Sequence, residues 1–142
     1  MVVVVGVDES DEAKAVLHFA LDEASLRGST LRIVHAWTLP LVPGGYGIAA
    51  LPSDYLERLR TKAEGVVDQA LSESPADGRP PIERRVVQGS PSQVLIEASQ
   101  EADLLVVGSR GRGGFAGLLL GSVSQQCAQH AHCPVVVVRR SR

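Results

Sequence analysis

The sequence predicts a single doubly wound α/β domain over residues 1–142, a five-stranded parallel sheet with four helices. Three observations predict it. Short β-branched runs alternate with segments whose apolar residues recur at helical spacing. Each intervening segment is long enough for the crossover that parallel strands need. And 44% of the 142 residues are hydrophobic, enough for one core that buries about 70% of the unfolded surface.

The first strand is MVVVVGV, ending at Asp8, and Ser10 is predicted to cap a helix with apolar positions Ala13, Val16, Leu17, Ala20, Leu21 and Ala24. Gly28 is placed to stop that helix, and TLRIVHAW reads as the second strand. A Pro/Gly-rich stretch, LPLVPGGYGIAALP, follows as a long loop whose length suggests a functional flap.

From Ser53 onward, Leu56, Leu59, Ala63, Val66, Val67, Ala70 and Leu71 predict a second amphipathic helix, and IERRVVQ the third strand. Ser90, Pro91 and Gln93 give the third helix an N-cap, a proline at its first position and a capping-box partner. ADLLVVG is the fourth strand, the fourth helix starts near Gly121, and PVVVV is the fifth strand. No internal repeat or linker divides the chain.

Composition narrows the function classes. No apolar run approaches the ~20 residues that span a bilayer, and MVVVVGVDES lacks a signal peptide's basic start and cleavage site, so a cytoplasmic protein with no membrane partner is expected. Cys127 and Cys133 are too few for a disulfide framework and are expected as free thiols; with His130 and His132 they lack the C-x-x-C spacing of a zinc site. Net charge is −2, yet no carboxylate side chain follows Asp103, whereas Arg110, Arg112, Arg139, Arg140 and Arg142 do. That end favours anions. The arginines lack interleaved aromatic residues for base stacking, so no nucleic-acid partner is expected.

Chemistry concentrates in GSRGRGGFAGLLLGSVS, from Gly108 to Ser124, between the fourth strand and the fourth helix. Glycines at 108, 111, 113, 114, 117 and 121 let backbone N–H groups approach an anion, and Ser122 and Ser124 add hydroxyl donors at a helix start. That helix has no acidic residue, whereas Asp11 and Glu12 at the start of the first helix complement its dipole and repel phosphate. The phosphates are therefore expected at the fourth helix.

The spacing Gly108-x-x-Gly111, nine residues, then Gly121-Ser122 resembles the nucleotide-binding motif of the universal stress protein family, in its ATP-binding branch. The resemblance runs through VVVVGVDES, LRIVHAW, ADLLVVGSRG and HCPVVVVR, almost the whole chain. It implies an adenine-nucleotide alpha-hydrolase-like fold with strand order 3-2-1-4-5, hence a switch point between strands one and four where ligands bind. It further implies ATP contacts at Val7, Asp8, Ala36, Val107, Gly108, Gly111, Gly121, Ser122, Val123 and Ser124, with Val7 and Ala36 lining the adenine pocket. ATP is the expected ligand; whether Mg²⁺ or Mn²⁺ accompanies it is left open, with Asp8 the candidate contact.

Each residue also has a plainer reading. Ser122 could be an ordinary N-cap, although the density of glycines before it exceeds what a connection requires. Asp8 can accept from ribose or adenine or ligate a divalent cation; alternatively it forms an Asx turn that starts the first helix. Val7 and Ala36 could be core residues. Arg110 and Arg112 are as readily solvated as phosphate contacts. His35 and Trp37 end the second strand near the base pocket, with half-buried packing an equal reading, and His18 lies off the apolar stripe, in solvent.

Competing motifs fail on context. There is no G-x-x-x-x-G-K-[ST] loop, the lysines are Lys14 and Lys62 alone, and Gly111-x-Gly113-x-x-Ala116 has no downstream acid to hold a ribose. No nucleophile, base and orienting group can be placed, so the expectation is a nucleotide-dependent switch in a stress response and not an enzyme, with slow ATP hydrolysis or autophosphorylation left open. AMP or cyclic AMP as ligand, a nucleotide-free interaction module of the same fold, and an adenylating enzyme are the alternatives. The fifth strand falls at a sheet edge in the implied topology, and its valines, Val135 to Val138, predict a homodimer through that edge, as the family usually forms.

Overall fold

The computed structural model describes residues 1–39, 53–110 and 120–139, and among them nine elements alternate. They are β1 (Val2–Gly6), α1 (Ala13–Arg27), β2 (Thr30–Trp37), α2 (Tyr55–Ser72), β3 (Ile82–Gln88), α3 (Pro91–Ser99), β4 (Leu104–Gly108), α4 (Ser122–His130) and β5 (Val135–Val138). The strands form one parallel sheet in the order β3-β2-β1-β4-β5, the predicted arrangement. The chain turns from one side of β1 to the other between β2 and β4, which opens a crevice at the carboxyl ends of β1 and β4.

Alternation along the strands divides the core in two. Val3 and Val5 of β1, Leu31 and Ile33 of β2, and Leu104 and Val106 of β4 face α1 and α2, where they meet Val16, Leu17, Ala20, Ala24, Val67 and Leu71. Val4, Val34, Leu105 and Val107 face the other way, toward Val94 and Leu95 of α3 and Cys127 of α4. Burial of strands on both faces explains why they read as continuous apolar runs. Gly6 lets α3 come close: a Cβ there would stand 2.7 Å from Leu95 Cδ1.

The helix ends refine the sequence reading. Gly28 closes α1 as predicted, in the left-handed region with φ of 63°, its N–H and that of Ser29 turned back to the last carbonyls of the helix. Ser10, however, is not the cap of α1. Glu12 holds that position, and the Ser10 N–H is spent on Asp8 Oδ1 at 2.8 Å. The capping box of α3 does not form either: Ser90 is the N-cap and Pro91 the first helical residue, but the Ser90 hydroxyl meets that of Ser92, and Gln93 reaches forward to Glu97. An exposed glutamate one turn on competes for the amide that the box required. On α2, Leu56 is 41% exposed and outside the stripe expected of it; the buried positions of the helix are Ala63, Val67, Ala70 and Leu71.

Polar clamps fasten the ends opposite the crevice. Arg32, nearly buried early in β2, donates to Glu83 of β3 at 2.8 Å and to Glu101 beyond α3 at 3.0 Å. These carboxylates hold its guanidinium above the ordinary arginine range, and the Glu83 carboxyl is held below the usual carboxylate range by the same hydrogen bond and charge. Arg79 caps the C-terminus of α2 through the Leu71 and Ser74 carbonyls. The β3 edge exposes Glu83, Arg84 and Arg85, with Arg84 paired to Asp68 of α2. The β5 edge presents four half-buried valines.

Candidate functional site

The crevice is bounded by the chain leaving β1 and the chain leaving β4. Beyond β1, Val7 is buried; its N–H donates to the Val34 carbonyl and its carbonyl accepts from His35 Nδ1 at 2.8 Å. A carbonyl can only accept, so Nδ1 carries a proton and His35 pins β2 to the end of β1. Asp8 follows at the mouth with Oδ1 engaged by the Ser10 N–H, an Asx turn, which leaves its second oxygen uncommitted to that turn.

Beyond β4, the loop begins at Ser109 and returns at Gly121, and Ser109 joins the two. Its carbonyl accepts from the Gly121 N–H at 2.6 Å and from the Ser124 hydroxyl at 3.0 Å. Gly121 is the N-cap of α4, with an extended backbone; no side chain caps the helix and no acidic residue occupies its first turn. The amides of Ser122, Val123 and Ser124 thus open α4 with no acceptor among the described residues. A helix start of that kind, facing the switch point, is a ready anion site.

The residues predicted from sequence divide here. Ser122 is exposed at the first turn of α4, placed to donate. Ser124 is buried, and its hydroxyl is directed back to Ser109 and Gly121, so it braces the loop that the others would use. Val107 is packed in the α3–α4 core, and Ala36 and Val123 lie half-buried at its border, so each offers a ligand its backbone more than its side chain. Gly108 is the last residue of β4; a Cβ there would stand 3.1 Å from both Glu12 Oε2 and Val16 Cγ2. Gly111 and Arg112 lie outside the described residues, as do the proposed flap from Pro40 to Pro52 and Arg140 and Arg142.

Sequence reasoning missed the role of Glu12. It is not turned on its own helix dipole; its carboxylate crosses to the β4 loop, accepting from the Ser109 hydroxyl at 3.2 Å and from the Arg110 N–H at 3.1 Å. The signal was present only as an acid at a helix start, and nothing local said which end of the crevice it would meet. His18 lies in solvent beside Asp22, as expected.

Among the described residues no group of three His, Cys, Asp or Glu side chains could hold a metal ion. Cys127 is also unsuited as a ligand: burial, with Cys133 nearby, pushes its thiol up to about 11, which keeps it protonated. No helix among the described residues is long and apolar enough to cross a membrane.

A model of the universal stress protein family matches residues 1–139. The chain belongs to that family. A universal stress protein of Mycobacterium tuberculosis is 41% identical over 142 residues, 98% of this chain and 45% of the relative, so the chain spans about half the length of the curated relatives it matches. Among solved structures, a universal stress protein in complex with cAMP is 32% identical with a TM-score of 0.72, covering 99% of this chain and 98% of that one. A universal stress protein from Archaeoglobus fulgidus in complex with dAMP is 26% identical with a TM-score of 0.67, covering 96% of each chain. The family fold is therefore the doubly wound sheet found here, with the crevice at its switch point.

Proposed function

We propose that this universal stress protein domain binds an adenine nucleotide in the crevice between β1 and β4, with ATP as the principal ligand, and acts as a nucleotide-dependent switch in a stress response. One observation carries the reading: the uncapped N-terminus of α4, free of acidic side chains in its first turn, stands at the switch point across from Asp8. The phosphates lie against the amides of Ser122 to Ser124 and the Ser122 hydroxyl. The base reaches toward Val7 and Ala36, and Asp8 takes the ribose or a cation. The complexes of similar proteins with cAMP and dAMP support an adenine ligand.

The donors fit a phosphate; for Mg²⁺ or Mn²⁺ Asp8 offers one carboxylate at the mouth, so most of the ion's ligands would be phosphate oxygens and water. Binding rather than turnover is the role proposed, with slow ATP hydrolysis left open. Its setting is the cytoplasm, and its assembly a homodimer through Val135 to Val138.

Replacing Gly121 by leucine tests the placement. The side chain would stand where the phosphates approach α4, so nucleotide affinity should be lost while circular dichroism and cooperative unfolding persist. Asp8→Ala should weaken ATP and its metal dependence together. A folded Gly121→Leu variant with unchanged affinity would overturn the placement.

A further inference from the structure

Glu12 is a charge of the wrong sign for the ligand proposed. Its carboxylate leaves the start of α1 and seats itself at the end of β4, accepting from the Ser109 hydroxyl at 3.2 and 3.4 Å and from the Arg110 N–H at 3.1 Å. Gly108 makes the approach feasible, since a Cβ there would come within 3.1 Å of Oε2. An anion of the protein's own thus occupies donors at the near end of the loop whose far end opens α4.

Ser109 couples the two ends. Its hydroxyl faces Glu12 while its carbonyl holds the Gly121 N–H and the Ser124 hydroxyl. A phosphate chain that runs from the α4 N-terminus toward Ser109 approaches the Glu12 charge or displaces it, and each added phosphate charge raises that cost. A divalent cation between carboxylate and phosphates reverses the sign of the interaction.

We infer that Glu12 is a specificity-determining residue that sorts adenine nucleotides by charge: it disfavours metal-free ATP relative to cyclic and simple monophosphates, and makes ATP binding depend on a divalent cation. The inference rests on the crevice being the nucleotide site.

The test compares wild type with Glu12→Gln, which keeps an oxygen acceptor for the Arg110 N–H and removes the charge. Adenosine, cAMP, AMP and ATP are titrated into each protein by calorimetry in EDTA, and ATP again with Mg²⁺. The glutamine variant should bind metal-free ATP about tenfold more tightly, a change of about 1.4 kcal/mol, with a smaller gain for the monophosphates and none for adenosine. Mg²⁺ should tighten ATP binding more in wild type than in the variant. Glu12→Ala, which also removes the contact, should give the same ranking.

An equal shift for every ligand, adenosine included, would make Glu12 merely structural and overturn the inference. So would wild-type binding of ATP that Glu12→Gln leaves unchanged, a result that spares the nucleotide reading. If neither protein binds any adenine compound, both fall together.

Discussion

The Ser124 hydroxyl donates to the Ser109 carbonyl oxygen at 3.0 Å and fastens the first turn of α4 to the end of β4. The loop between them is long, yet its two ends are tied by this bond and by the Gly121 N–H to the same carbonyl. Phosphate donors are useful only when held in place before the ligand arrives, and this pair of bonds holds them.

Ser124→Ala should therefore act at a distance from the ligand. The buried hydroxyl is lost but the Ser109 carbonyl keeps the Gly121 N–H, so stability should fall by only about 1 kcal/mol. Nucleotide affinity should weaken severalfold because the loop ends are less well held. Thermal unfolding and calorimetry on the same preparation separate the two effects.

Gly6→Ala probes the closeness of α3 to the sheet. The added methyl would meet Leu95 Cδ1 at 2.7 Å, and Leu95 is itself buried in the α3–α4 core. The variant should lose about 1–3 kcal/mol in urea unfolding, the range for overpacking a core.

How much of this was legible in the sequence differs by scale. Strand boundaries at Thr30–Trp37 and Ile82–Gln88 follow from β-branched runs bounded by turn residues, and both are as read. Gly28 stopped its helix because a left-handed residue is a backbone property that glycine announces locally. Side-chain partners were not legible. Ser10, Ser90 and Glu12 each have several acceptors or donors within reach, and which one wins depends on residues far away in sequence, as Glu12 and Ser109 show across 97 positions. For the same reason the Ser124 hydroxyl reads as a ligand donor in the sequence, whereas in the fold it donates inward to the Ser109 and Gly121 carbonyls.

Acid should weaken the clamp at Arg32. Glu83 has a carboxyl held below its unfolded value by the Arg32 hydrogen bond and charge, so the stability it contributes is fully present above the unfolded carboxyl range and is lost as pH falls through the lowered value. Glu83→Gln should be less stable than wild type at about pH 7, and the two should converge as the pH falls through that lowered value and Glu83 protonates. Melting temperatures measured across that range check the convergence; a constant difference would count against the clamp.

The β5 edge sets the assembly prediction. Val138 and Pro134 direct their carbonyls to β4, so by the period of two Val135 and Val137 direct their backbone outward. Proline at 137 removes an outward N–H without touching the β4 ladder. Wild type should sediment as a dimer at micromolar concentration and Val137→Pro as a monomer with an unchanged fold. A monomeric wild type would remove this edge as an interface.

The most direct measurement is calorimetric titration of nucleotide-stripped protein with ATP plus Mg²⁺, with AMP, cAMP and GTP titrated into the same preparation. The proposed function puts an adenine ligand in the β1–β4 crevice, so saturable binding of one adenine nucleotide per chain is predicted, with GTP weaker. Heat with none of the adenine nucleotides, from a protein that unfolds cooperatively, would contradict the account and leave the Gly108–Ser124 segment a structural loop.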